Sequence, residues 1–391
     1  MRQRCLGVAA ILMSAGILAG CGSFSTASHA PPTAPSSHAR GAMPAPLQSS
    51  VFQVTFSVQN PADGWMVVDV GSTPALYRAT DEGRNWQRIV GVIPNALGSI
   101  LVIGSHVWVP TTAPHHALTL AFSGTPGKNW VSQPLQATTQ AVPWDAYANV
   151  VMPQTTTSTP WLLAASLYLG MTELYTLFRY DTHTGRWVAV VPMPLGQRGD
   201  ESPGLAVTGR HTLWWASGGN GTQAQLDQVA VAHGRATIRA ATLPGWPVTS
   251  PCGRETVNTD RRVGVPAFHG PTGRVMASWD GCHKAVHVAT WTTTNGGQQW
   301  DQGAALPTGA FWGRWASPSV GYVWSASGER WWTTTDGGQH WRPLRLPAPL
   351  QRLDVVTPQD LWAIAGPGQN HLLHSSDAGL HWTTVPLPSP N

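Results

Sequence analysis

Charge is what this 391-residue chain has least of: Asp, Glu, Lys and Arg together make up 11%. Lys128 and Lys284 are the only lysines, and the arginines are scattered. No basic stripe exists for nucleic acid to follow, so nucleic acid is excluded as a partner. Without Arg2 and Arg4 the formal excess of +4 falls to +2. Cysteine is scarce too, with four in all and no CxxC spacing, which removes the usual zinc patterns. His115-His116 stands alone without a third ligand. After the first twenty residues no run approaches 18 uncharged apolar residues, so no later helical span is expected. Helical periodicity is missing, and 41 Gly with 33 Pro would break most helices. There is no Gly-x-Ser-x-Gly, no His-Glu-x-x-His and no phosphate-binding glycine loop. No catalytic residue, metal or cofactor is therefore assigned.

What the chain does have begins at its N-terminus. Arg2 and Arg4 precede the uncharged run CLGVAAILMSAGILA, the layout of a secretory signal peptide over residues 1–20. The run is short for a membrane span, which needs about 20 apolar residues. Its end, LAGC from Leu18 to Cys21, resembles the lipobox of bacterial lipoproteins. That resemblance implies cleavage before Cys21, acylation of its thiol and membrane attachment through the lipid. A short uncleaved anchor is the alternative. Residues 21–46 are rich in Ser, Ala, Pro and Thr, with Arg40 as the one charge. They hold too few large apolar groups to offset the entropy of folding, and read as a disordered tether. Cys252 and Cys282 remain, an even pair that reads as a disulfide in an exported chain. Closing a loop of about 30 residues would add roughly 3–4 kcal/mol in the chain-entropy picture. A metal site shared with His283 and His287 is the rival reading, unsupported by ligand spacing.

Over residues 47–391 one phrase repeats. WTTTNGGQQW ends at Trp300 and WTTTDGGQHW at Trp341, with weaker copies ending at Trp86, Trp130 and Trp382. Trp300, Trp341 and Trp382 are 41 residues apart, and Trp86 to Trp130 is 44. Upstream of each phrase lies an apolar strand led by an aromatic residue, at Trp65, Trp108, Trp161, Trp214, Tyr322 and Trp362, with Val275 in its place once. These openers count seven units, each with room for four short strands. Two middle units, around Trp187 and around VAHGRATIRAATLP, keep the strand rhythm but lose the phrase. Four strands in some 40–45 residues, repeated, is the pattern of an all-β propeller. Seven four-stranded blades are expected, at about 47–94, 95–135, 136–194, 195–244, 245–307, 308–347 and 348–391, with six or eight as the neighbouring counts.

The phrase resembles the Asp-box, or BNR, repeat of bacterial sialidases, sortilin-type receptors and photosystem II assembly factors. The matching positions are Thr80, Asp81, Gly83 and Trp86; Thr294, Asn295, Gly297 and Trp300; Thr335, Asp336, Gly338 and Trp341; and Ser376, Asp377, Gly379 and Trp382. Thr125 stands where the acid should be in the second unit. The residue chemistry is that of a turn. Asp or Asn accepts backbone N–H groups, Gly supplies a positive φ, and Trp folds 150–250 Å² of ring over the hairpin. Asn295 suits an acceptor and would not serve as a catalytic carboxylate. The phrase builds blades.

The family in question includes hydrolases, receptors and chaperones, so the fold does not name the activity. A sialidase would carry a Phe/Tyr-Arg-Ile-Pro stretch, an arginine triad and a Tyr–Glu pair. YRAT at Tyr77 is the nearest approach, and it runs into the repeat instead. A carboxylate-pair glycosidase needs two acids about 5–10 Å apart. Glu173, Asp200, Glu201 and Glu255 are candidates that sequence cannot bring together. Blade six gathers Trp312, Trp315, Trp324, Trp331 and Trp332. Inter-blade packing accounts for most such rings, while Trp312 with Arg314 could form a ligand rim. The expectation is a monomeric, non-catalytic binding or assembly scaffold with a protein or glycan partner at the cell envelope. It would sit at the outer face of a cytoplasmic membrane or in a periplasm. A glycoside hydrolase and a cell-wall carbohydrate-binding module are the alternatives.

Overall fold

The computed structural model describes residues 50–388 apart from 58–59, 71–72, 93, 95–99, 113–117, 136–149, 152–159, 170–171, 193–203, 210, 218, 221–223, 233–234, 247–259, 281–285 and 367. The signal peptide, Cys21, the tether and the pair Cys252 and Cys282 lie outside the described residues. Every regular element described is a β-strand, and the strands form seven antiparallel sheets. The protein is a seven-bladed β-propeller, as the repeat count predicts; the six- and eight-blade alternatives fall away.

Blade 1 runs Ser50–Phe56, Gly64–Val70, Thr73–Ala79 and Gln87–Ile89, each strand paired with the next. Blade 2 spans Leu101–Ile103 to Val131–Pro134, blade 3 Val150–Val151 to Arg186–Pro192, and blade 4 Gly204–Val207 to Arg235–Ala240. Blade 5 spans Asp260–Val263 to Asp301–Gln302, blade 6 Trp312–Trp315 to Arg342–Leu344, and blade 7 Leu350–Val355 to Thr383–Val385. Burial follows strand order. In blade 7 all five residues of the second strand, Leu361–Ala365, are buried, because neighbouring blades cover both faces and strict alternation is not needed. The fourth strand, Thr383–Val385, faces largely outward.

Blade 5 departs from the four-strand pattern. Gly219–Asn220, in a stretch whose glycines read as a turn, pairs with Arg261 and Asp260 at the edge of the blade's first strand. Ala267–His269 forms a further hairpin with the second strand.

Tryptophan joins one blade to the next. The opening Trp65, Trp108, Trp161, Trp214 and Trp362 are each 1% exposed or less. At four junctions the closing Trp of a blade meets the opening Trp of the blade before it, edge to face. Trp130 meets Trp65 at 6.0 Å, Trp187 meets Trp108 at 5.7 Å, and Trp300 meets Trp214 at 5.7 Å. Trp86 of blade 1 meets Trp362 of blade 7 at 6.5 Å in the same way. The ring therefore closes with the same contact that joins blades 1 and 2, 2 and 3, and 4 and 5. Val51 N–H adds a bond to the carbonyl of Gln369 across that junction, at 3.0 Å.

Candidate functional site

The repeated phrase forms a compact turn after the third strand. In blade 6, Asp336 Oδ1 accepts the Thr334 hydroxyl at 2.8 Å and the His340 backbone N–H at 3.0 Å. Asp336 Oδ2 lies 2.7 Å from His340 Nδ1. The Thr334 oxygen in turn accepts the buried N–H of Gly338 at 2.9 Å. Ser375, Asp377, Gly379 and His381 repeat this in blade 7. Thr293, Asn295, Gly297 and Gln299 repeat its backbone part in blade 5. Gly297 has φ +83° and Gly338 φ +86°, which an L side chain adopts only under strain. A Cβ on Gly297 would collide with the Trp214 ring of blade 4.

The hydroxyl that bonds is one residue earlier than the one the repeat alignment names. Thr294, Thr335 and Ser376 are exposed, while Thr293, Thr334 and Ser375 are buried and make the bonds. In blade 1 this place is Ala79, and Thr80 is exposed. Asp81 there bonds the backbone and side-chain N–H groups of Asn85 at 3.0 and 2.6 Å. Adjacent hydroxyls in WTTTD hide the distinction; strand parity with the buried Trp291 would have singled out Thr293.

These bonds fix the charge of the turn. The N–H of His340, then its ring and the Thr334 hydroxyl, hold the Asp336 carboxyl far below the usual range. At Asp377 partial burial pushes upward. The N–H and ring of His381 and the Ser375 hydroxyl outweigh it and bring the group to about 2. At Asp81 the backbone N–H of Asn85, then its side chain, lowers the pKa.

A cleft of about 740 Å³ lies between blades 5 and 6, at the end of the molecule that carries these turns. Phe268, Thr272 and Arg274 of blade 5 face Ser317, Ser319 and Asp336 of blade 6 across it. The guanidinium of Arg274 stacks over Trp315, 5.0 Å from the ring centroid. Burial lowers the pKa of Arg274, and the nearby Asp336 charge partly restores it. Its Nε is buried and has no hydrogen-bond partner among the described residues. Sequence reading misses this site. Its residues come from strands of blade 5 and turns of blade 6, and Arg274 sits in the one unit whose opener is valine.

Trp312 and Arg314 lie two apart on the first strand of blade 6, both half-buried, and share one face. Arg314 reaches blade 7, where Nη1 donates to the Leu353 carbonyl at 3.0 Å. Burial lowers its pKa against the support of Asp354. Trp312 pairs across to Trp324, which stacks on Trp331 at 4.6 Å. The two residues thus stand on the first strand, with Arg314 engaged by the next blade. Of the candidate acids, Asp200, Glu201 and Glu255 lie outside the described residues, as does the side chain of Glu173. Several others are committed: Asp63 to Arg78 at 2.7 Å and Asp360 to His374 at 2.8 Å. Asp227 is 3% exposed, and burial raises its pKa. Among the described residues no three His, Cys, Asp or Glu side chains group closely enough to hold a metal ion.

No protein-family model matches the chain, and no curated protein matches it in sequence. Solved structures resemble it. YCF48 from Cyanidioschyzon merolae is 14% identical with a TM-score of 0.47, over 85% of this chain and 95% of that one. The GH74 xyloglucanase from Xanthomonas campestris is 13% identical with a TM-score of 0.49, over 85% of this chain and 60% of that one. A PL25 ulvan lyase is 10% identical with a TM-score of 0.45, over 86% and 84%. At these levels the likeness carries nothing about activity or partner.

Proposed function

We propose that this chain is a non-catalytic binding or assembly scaffold, exported and held at the cell envelope by lipid on Cys21. Its turns are read as Asp-boxes, which serve the fold, and Cys252 and Cys282 as a disulfide. The observation that carries the non-catalytic reading is the state of Asp336. It is the only carboxylate among the described residues lining the blade 5–6 cleft, and both its oxygens are already bonded. A glycosidase acid must have a raised pKa to hold a proton near neutral pH, whereas Asp336 is pulled the other way. Turn-built surfaces on a rigid propeller suit recognition of a protein or glycan.

The test is affinity capture. The purified full-length protein is immobilised and exposed to solubilised envelope from its source organism, and protein and glycan are both read over time. A discrete partner retained at moderate salt, with glycan unchanged in length, is expected. Progressive shortening of glycan would replace the scaffold with a glycoside hydrolase.

A further inference from the structure

Resting on the scaffold reading above, we propose that the cleft between blades 5 and 6 binds a glycan bearing isolated carboxylate groups, with Arg274 as its anion anchor. Arg274 is held in place and feels the Asp336 charge nearby, but no ion pair joins it to a carboxylate among the described residues. Trp315 supports one face of its guanidinium. Gly337, at φ +74°, leaves room where a Cβ would stand 2.5 Å from Nη2. No hydrogen bond reaches its buried Nε among the described residues. A guanidinium stacked on a ring keeps its N–H edges in plane, the geometry that takes a carboxylate in two parallel bonds.

Around that cation the lining suits a sugar. The Ser317 and Ser319 hydroxyls bond each other at 3.1 Å, and Ser317 Oγ also accepts the Val320 N–H at 3.0 Å; Thr272 and the exposed His269 add polar groups, and Phe268 contributes an aromatic wall. The cleft is concave and of small-ligand size. A stable protein partner instead needs about 800 Å² on each side, which favours an oligosaccharide. Asp336 stands on the opposite wall with its charge held. It repels a dense polyanion but tolerates a single carboxylate seated on Arg274. Sulfated chains and nucleic acid fit this balance poorly.

The experiment is isothermal titration of the full-length protein with short oligogalacturonate and oligoglucuronate, their methyl esters, and an acidic peptide of equal charge. Binding of at least one oligouronate is expected, weakened tenfold or more by esterification. Arg274→Gln should weaken it to the same degree, and Arg274→Lys less. Equal binding of acid and ester overturns the proposal, as does failure of both oligouronates. An unchanged affinity in Arg274→Gln overturns it too. Binding of the peptide alone would assign the cleft to a protein partner. If Arg274→Gln does not fold, the acid-versus-ester comparison on the unaltered protein decides by itself. Shortening of a bound oligouronate would sink the scaffold reading while leaving the Arg274 site standing. A captured envelope protein with no uronate binding would do the reverse.

Discussion

Thr334 and Thr335 are neighbours of the same type, and only one of them should matter to stability. Thr334 is 1% exposed; its hydroxyl donates to Asp336 at 2.8 Å and accepts the buried N–H of Gly338 at 2.9 Å. Thr334→Val keeps the shape and removes these bonds and a longer one from the Asp336 N–H at 3.4 Å, leaving the Gly338 N–H buried without an acceptor. An orphaned buried donor costs about 1–3 kcal/mol. The lost bond to a carboxylate falls within the same turn, so the two effects overlap, and about 2 kcal/mol is expected overall. Thr335→Val changes an exposed side chain and should stay within about 0.5 kcal/mol. Urea unfolding of the full-length protein, followed by the fluorescence of its 21 tryptophans, measures both. With a slope of about 3 kcal/mol/M, Thr334→Val should lower the midpoint by roughly 0.7 M and Thr335→Val hardly at all. Thr293→Val and Ser375→Ala should follow Thr334→Val. Equal midpoints for the two valine variants, or a larger loss at Thr335, would refute the hydroxyl's assigned role.

Three further outcomes follow from the same geometry. Trp300→Leu and Trp214→Leu should each destabilise strongly, and their double-mutant cycle should show about 0.5–1.5 kcal/mol of coupling; simple additivity would contradict the blade-to-blade ring contact. Gly297→Ala and Gly91→Ala both force alanine to a positive φ, +83° and +87°, at about 1–2 kcal/mol each. Gly297→Ala also drives a Cβ into Trp214, while Gly91 has open space, so its loss in a denaturation assay should exceed that of Gly91→Ala by about 1–3 kcal/mol. In a pH series, Asp377, whose folded pKa of about 2 lies below the usual carboxylate range, contributes stability that is full above pH 4 and lost as pH falls towards 2. Unfolding midpoints of the unaltered protein and Asp377→Asn should converge over that window. A gap that persists unchanged at pH 2 would be the contrary result.

The blades were legible because the fold repeats. A phrase recurring at 41 to 44 residues in its good copies, with an aromatic opener before it, marks strands even where the phrase has been lost, as around Trp187. Nearest-neighbour contacts between units were not legible in the same way. The pairing of Trp300 with Trp214 and of Trp86 with Trp362 joins the closing residue of one unit to the opening residue of the unit before it, and no single phrase contains both. Gly219–Asn220 joins blade 5 although its local chemistry is that of a turn, because a free strand edge of the next blade supplies the partner. The cleft was hidden for the same reason. Phe268 and Arg274 belong to strands of blade 5, Ser317 and Asp336 to turns of blade 6, and none shares a local motif with the others. Trp312 and Arg314 stand out in sequence as an aromatic and a cation in the Trp-rich blade, yet Arg314 donates to the carbonyl of Leu353 in blade 7.

The most direct test of the scaffold reading is a time course. Purified full-length protein is incubated with glycan from its own cell envelope, and chain length and bound fraction are followed together. Retention of glycan or of a co-purifying protein partner, with no change in chain length at any time, is the predicted result. Steady shortening that requires the folded protein would contradict it and turn the search to the acids outside the blade 5–6 cleft.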